Sequence, residues 1–286
     1  MPARTRRPAQ RRATQVRAVR SRDEEGRPRI AVRPEELQDF NESINWCVYG
    51  NSGVGKTVFS AFAPNAYFLS TEKGVVAAKR VGSEAKLIRA PSWEYVEAAL
   101  DWADDNLNLD NWLIIDSLSK MQVLNLRWWL GLQNAENESR DIDVPQIQDH
   151  QKWQNMFMRF VDRIVDANYN TIFTCTAMHK EDPEGESLVL PAITGKDYTI
   201  SNYVCAAADI VSCLRMERNE RRGAPARRLL LNEAYPPYFA KDRFHVLPRW
   251  LEIDYEDYDI IAELIEDIQS VSPEERQAAK AAAAAN

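Results

Sequence analysis

The sequence predicts an α/β domain with a mostly parallel central sheet flanked by helices, and three observations carry that prediction. Short apolar runs alternate with segments of helical spacing from Ile44 onward. The run Gly50-Asn51-Ser52-Gly53-Val54-Gly55-Lys56-Thr57 matches G-x-x-x-x-G-K-[ST] at every fixed position, between an apolar strand and a helix. A third run, Trp112 to Ile115, is wholly apolar and ends on Asp116, as a strand covered on both faces does.

In chain order, the first strand is expected over 44–49, the glycine-rich turn next, and a helix over about 56–62. A second strand spans 66–70, a short extended piece 86–89, and a helix 93–106, with Tyr95, Ala98, Ala99 and Trp102 on one side. After the 112–115 strand, a helix over about 118–130 leads into a polar segment, 131–149, with no clear period. A helix over about 151–167 precedes the strand 171–176, and 180–197 reads as loop with a small strand at 187–190. Late strands are expected at 209–216 and 228–231, joined by an arginine-rich loop, and a last helix at 257–270.

Composition bounds the rest. Hydrophobic residues make up 45% of the 286, enough for a sizeable core. Cys47, Cys175, Cys205 and Cys213 lie far apart in apolar runs, so they read as reduced core thiols and point to the cytoplasm. No apolar stretch approaches the roughly 18 residues of a membrane span, and the N-terminus is too polar for a secretory signal. Net charge is −7, which argues against a whole-surface nucleic-acid binder. The charge is polarised: residues 1–33 hold 11 arginines against three acids, whereas 252–275 hold 10 acids and no base. The chain therefore divides into a disordered basic arm (1–38), an ATP-binding domain (39–250) and an acidic helix with an alanine-rich tail (251–286).

The chemistry follows from the motif. Its glycines let backbone N–H groups turn toward phosphates at a helix start, Lys56 reaches the β- and γ-phosphates, and the Thr57 hydroxyl ligates magnesium. Asp116, at the end of its apolar strand, holds the metal through water. The next residue is Ser117, where many P-loop motors carry a catalytic glutamate. The base must then lie elsewhere, and Glu72, just past the second strand, is best placed.

With Glu72 and Asp116-Ser117 in these positions, the sequence resembles the RecA-like family of recombinases and DnaB-type helicases over about residues 44–245. It looks most like the compact phage group associated with Sak-type single-strand annealing and often labelled phage AAA ATPases. The resemblance implies a RecA-like P-loop NTPase using ATP and magnesium, acting on single-stranded DNA as a ring or filament. A single-strand-binding protein is an implied partner, and host-cell cytoplasm the location if the chain is phage-encoded. Where RecA places a sensor glutamine, this chain offers Thr176, with His179 three residues on. Ala240-Lys241-Asp242-Arg243-Phe244 resembles the family's strand whose cations reach the neighbouring subunit's nucleotide, with Lys241 and Arg243 alternating on one face.

DNA contact falls first on the arginine-rich loop, with Arg218, Arg221 and Arg222, diluted by Glu217 and Glu220. The segments 131–149 and 180–197 stand where the family's DNA loops lie, although the first carries Glu136, Glu138, Asp141 and Asp143. Trp128 and Trp129 offer either a stacking face for bases or core packing. Two other functions share the motif: a small-molecule P-loop kinase, with the arginine-rich loop as its lid, and a nucleotide-regulated scaffold.

Overall fold

The structure is a computed structural model that describes residues 20–22, 28–30, 43–181, 184–195, 199–217, 226–254, 262–265 and 268. The chain forms two compact units, Met1–Asn41 and Glu42–Asn286. In the first, where the sequence suggested a disordered arm, β1 (Arg20–Arg22) pairs antiparallel with β2 (Pro28–Ile30).

The second unit is built on one sheet. Its parallel part consists of β3 (Asn45–Gly50), β4 (Ala66–Ser70), β5 (Lys86–Arg89), β6 (Trp112–Asp116), β7 (Asn170–Glu181) and β9 (Ile210–Glu217). A short β8 (Ser187–Pro191) folds back on β7, and β10 (Arg227–Leu231), β11 (Lys241–Asp242) and β12 (Trp250–Glu252) add antiparallel pairings around β9. The order across the sheet is β12-β10-β9-β3-β7-β6-β4-β5. The expected fold class is the one observed, a mostly parallel sheet with helices on both faces.

Alternation along the strands divides the core in two. Cys47 and Tyr49 of β3 and Leu113 and Ile115 of β6 face one cluster, while Trp46, Val48, Trp112 and Ile114 face the other. The first cluster is closed by α3 (Trp93–Asn106), α4 (Leu118–Glu136), α5 (Ile147–Val165) and α6 (Thr199–Ala207). The second is closed by α1 (Lys56–Ser60), α2 (Val76–Arg80) and the helical residues 262–265, which bury Leu264 and Ile265. The C-terminal acidic segment therefore contributes apolar side chains to the core through its described residues. All four cysteines are free and buried. Among the described residues no helix is long and apolar enough to cross a membrane.

Several elements differ from the sequence reading. Helix α3 has the expected bounds but buries Trp93, Val96, Ala99, Leu100 and Ala103, leaving Tyr95 59% and Trp102 38% exposed. The aromatic rings had drawn the predicted face to the wrong side. Trp102 instead packs its ring 5.3 Å from that of Tyr67 at the surface. The polar segment 131–149 is mostly ordered structure: α4 runs to Glu136 and α5 begins at Ile147. What joins them is held by Asp149, which accepts from Trp129 Nε1 (3.2 Å), the backbone N–H of Gln146 (2.8 Å) and Arg140. Buried Asp149 is thereby kept below the usual carboxylate range: burial raises it, and the Arg140, Gln146 and Trp129 hydrogen bonds outweigh that. Helix α6 was not foreseen, and β7 runs five residues past the expected Thr176, from Ala177 to Glu181, because β8 extends its pairing.

Candidate functional site

The expected site residues gather at the C-terminal edge of the parallel strands. Ligands of open α/β sheets bind at that edge. Register sets the row: Gly50 lies opposite Thr176, and Asp116 opposite Ser70. With β7 between the strands of Gly50 and Asp116, the turn and the carboxylate converge from either side of it.

The turn is anchored from below. Val54 is buried in the second core, and Phe59 of α1 stacks edge-on to Trp46 at 5.3 Å. Asn51, Ser52 and Gly53 remain exposed. Gly50 is obligatory at its place, since a Cβ there would stand 2.2 Å from the Leu214 carbonyl oxygen of neighbouring β9. Gly55 caps α1 with φ of 106°, and no side chain caps the helix start. Its first N–H groups are therefore available to an anion.

Lys56 curls back over the turn, donating from Nζ to the carbonyls of Gly50 (2.8 Å) and Asn51 (2.9 Å). Burial pulls its ammonium below the ordinary lysine range, and Cys175, Asp116, Cys213 and Glu72 act in the opposite direction. A half-desolvated cation held only by two neutral carbonyls gains strongly from a phosphate. Thr57 Oγ1 donates to Asp116 Oδ2 at 2.9 Å, and Thr174 Oγ1 donates to Asp116 Oδ1 at 2.7 Å. Both carboxylate oxygens of this buried aspartate are thus oriented by threonines. The Ser117 hydroxyl caps α4 by accepting from the N–H of Lys120 (3.3 Å), and the Asp116–Ser117 peptide is cis.

Glu72 is exposed at the end of β4, close enough for its charge to act on Lys56. Its backbone is fixed by Ser70, whose Oγ accepts from the Glu72 N–H (3.2 Å) and donates to the Glu72 carbonyl (3.1 Å). Beside it, the buried Thr71 hydroxyl has no hydrogen-bond partner among the described residues. Magnesium fits this corner: Thr57 and Asp116 supply hard oxygen atoms beside Lys56. ATP fits the adjoining turn through the uncapped N–H groups and Lys56.

Of the other expected residues, Thr176 stays beside the turn and the rest lie elsewhere. Thr176 faces the turn across the register and has its N–H held by Ser119 Oγ (3.2 Å). His179 is carried about 10 Å further along β7 into the pairing with β8, opposite Val189. Lys241 and Arg243 stand at the opposite end of the sheet. Lys241 Nζ donates to the carbonyls of Cys205 (2.7 Å) and Ala206 (3.2 Å), closing the C-terminal end of α6. Arg243 pairs with Asp209 at 2.7 Å and also donates to Ala206. Both cations therefore have intrachain partners, and the Arg243 side chain is 56% exposed. Arg218, Arg221 and Arg222 lie outside the described residues, although the strands that flank them pair Glu217 with Arg227. Trp128 and Trp129 are partly buried against the first core.

One residue at the site escaped the sequence reading, and two others have contacts there that it did not assign. Thr174 could have been noticed as a polar residue inside an apolar strand. Gly50 was read as part of a motif and not as a packing necessity. Arg228 stood out only as part of the arginine-rich stretch, and its contact with the turn carried no local signal: its Nε donates to the Val54 carbonyl at 3.3 Å, from a strand 174 residues later in the chain.

A family model described as an AAA domain matches residues 42–244. Among solved structures, a KaiC-like protein from the hyperthermophilic archaeon Pyrococcus horikoshii OT3 is similar at 12% identity and a TM-score of 0.41, covering 74% of this chain and 91% of that one. A solved ATPase domain is similar at 12% identity and a TM-score of 0.40, covering 71% of this chain and 78% of that domain. No curated protein sequence matches the chain.

Proposed function

The chain belongs to this AAA-domain family over residues 42–244, and from that premise we propose that it is a RecA-like ATPase that hydrolyses magnesium-ATP and acts on single-stranded DNA in annealing or recombination. One observation carries the catalytic part. Lys56, Thr57, Asp116 and Glu72, from three separate elements, meet at one sheet edge, with the first half-buried and unpaired by any carboxylate at hydrogen-bonding distance among the described residues.

In this reading the N–H groups of the turn and Lys56 hold the β- and γ-phosphates. Magnesium, when bound, neutralises charge developing on the phosphate oxygens. Thr57 ligates it directly and Asp116 orients it through water, with Thr174 holding that carboxylate in place. Glu72 accepts a proton from the water that attacks the γ-phosphorus, as the bond between that phosphorus and the β,γ-bridging oxygen breaks and ADP departs. Thr176, opposite Gly50, is the better placed of the two sensor candidates.

Support for DNA action is of a different kind. The arginine-rich connection with Arg218, Arg221 and Arg222 springs from β9 and β10, next to the P-loop strand, and Arg228 at its base touches the turn itself. Phosphate gripped by that connection would be felt at Val54. The basic arm adds a salt-sensitive, sequence-independent attraction. Assembly into a ring or filament accompanies this reading.

ATP turnover with and without single-stranded DNA tests it. Stimulation by DNA is expected. Turnover only with a small acceptor would mark a kinase, and no turnover under any condition a nucleotide-regulated scaffold.

A further inference from the structure

The connection between α4 and α5 projects three apolar side chains into solvent. Ile142, Val144 and Ile147 are 54%, 60% and 93% exposed. Single exposed aliphatics are ordinary, but three on one short connection form a patch, and patches mark interaction sites. The connection is also stiff. Buried Asp149 ties its base through Arg140 and the Gln146 N–H (2.8 Å), and Asp141 Oδ1 accepts from the Asp143 N–H (2.7 Å). A rigid projection loses little freedom when it docks. Asp141 and Asp143, both exposed, flank Ile142, so the projection is apolar and anionic at once. That charge repels a nucleic-acid backbone and suits a protein surface that offers cations.

Such a surface lies across the sheet. A cavity of about 650 Å³ opens beside α2 and the edge strand β5. Phe68 and Ala78 line it from the second core, and the exposed Val76 and Leu87 line it nearer to solvent. Lys79 and Arg89 line it too; both are exposed, and neither makes an ion pair among the described residues. Two acids share the lining, Glu84 and the Glu72 whose charge acts on Lys56. The projection joins helices that close the first core, whereas the cavity opens against the second. Held rigid on the opposite face of the sheet, the projection cannot fill its own chain's cavity.

We propose that the projection of one copy docks in the cavity of the next, with Ile142 and Val144 set among Phe68, Val76 and Leu87, and Asp141 and Asp143 paired with Lys79 and Arg89. Because projection and cavity occupy opposite faces, the contact is heterologous and repeats from copy to copy. The proposal rests on the assembly named in the reading above, for which it supplies the contact.

Sedimentation velocity of the full-length chain over a concentration series, with and without magnesium-ATP and oligodeoxythymidylate, reads assembly. Val144→Asp on the projection and Leu87→Asp in the cavity are each expected to weaken self-association about 30-fold or more, as loss of an interface anchor does. Mixing the two variants is the sharper measurement. Each keeps one competent surface, so the mixture should form pairs and nothing longer. Val76→Asp, at a more exposed position, takes the place of Leu87→Asp if that chain fails to fold. Variants that assemble as well as the parent, or a mixture that stays monomeric or grows beyond pairs, overturn the docking alone. A parent that stays monomeric under every condition overturns both the docking and the assembly it rests on. Sedimentation does not depend on turnover, so failure of the catalytic assignment is scored separately.

Discussion

The two ends of the central sheet use the same residue types to opposite purpose. At the N-terminal end of the strands Asp209, Asn45 and Asn170 are closed within the chain. Asp209 accepts from the Asn45 N–H (3.0 Å) and from Arg243 (2.7 Å), Asn45 bridges Thr171 (2.6 Å) and the Val165 carbonyl (3.1 Å), and Asn170 accepts from the Ile44 N–H (2.9 Å). Lys241 closes a helix there. At the C-terminal end, Lys56 rests on two carbonyls, and among the described residues the Thr71 hydroxyl has no partner and no side chain caps the start of α1. A lysine that is structural at one end is thus left provisional at the other. Provisional contacts are those a ligand can replace at little cost.

Substitutions can break or sharpen that contrast. The largest effect is expected from Glu72→Gln: removing the base should lower ATP turnover by about 100-fold or more while ATP still binds, read by phosphate release beside a nucleotide-binding titration. Unchanged turnover would move the base away from Glu72. Next comes Thr174→Val, which strips Asp116 of a buried hydrogen bond; it should cost about 1–3 kcal/mol of stability and also reduce turnover, measured by denaturant melts and phosphate release. A stability loss with no catalytic loss would make Thr174 structural only. Gly50→Ala forces a Cβ against the Leu214 carbonyl, so about 1–3 kcal/mol of strain is expected, visible as a lowered Tm. Smallest is Arg243→Ala: its partner Asp209 keeps the Asn45 N–H and the Arg243 side chain is 56% exposed, so a loss of at most about 1 kcal/mol is expected, with turnover per site unaltered.

What was legible in the sequence was local. The glycine turn, the Asp116 strand and Glu72 are each specified within a few residues, and β4, β5 and the helix 93–106 appear at their expected bounds. What was not legible depends on contacts between distant segments. The extension of β7 depends on β8, the order in 137–146 depends on Asp149 and Arg140, and the tie between Arg228 and the turn depends on sheet order. Helix α6 was missed because Thr199–Ala207 is apolar on most sides and contains β-branched residues, which weakens helical periodicity. Lys241 and Arg243 show the same limit from the other side. Their alternation suggested a row of outward-reaching cations, and only the fold reveals that α6 and Asp209 receive them.

The contrast between the two ends is tested most directly by measuring ATP turnover of the full-length protein carrying Lys56→Ala beside that carrying Lys241→Ala. Loss of turnover in the first by about 100-fold or more, with the second retaining the parent rate per folded molecule, is the result predicted here. Normal turnover with Lys56→Ala, or its loss in a fully folded Lys241→Ala protein, would contradict the assignment of catalysis to the C-terminal edge of the sheet alone.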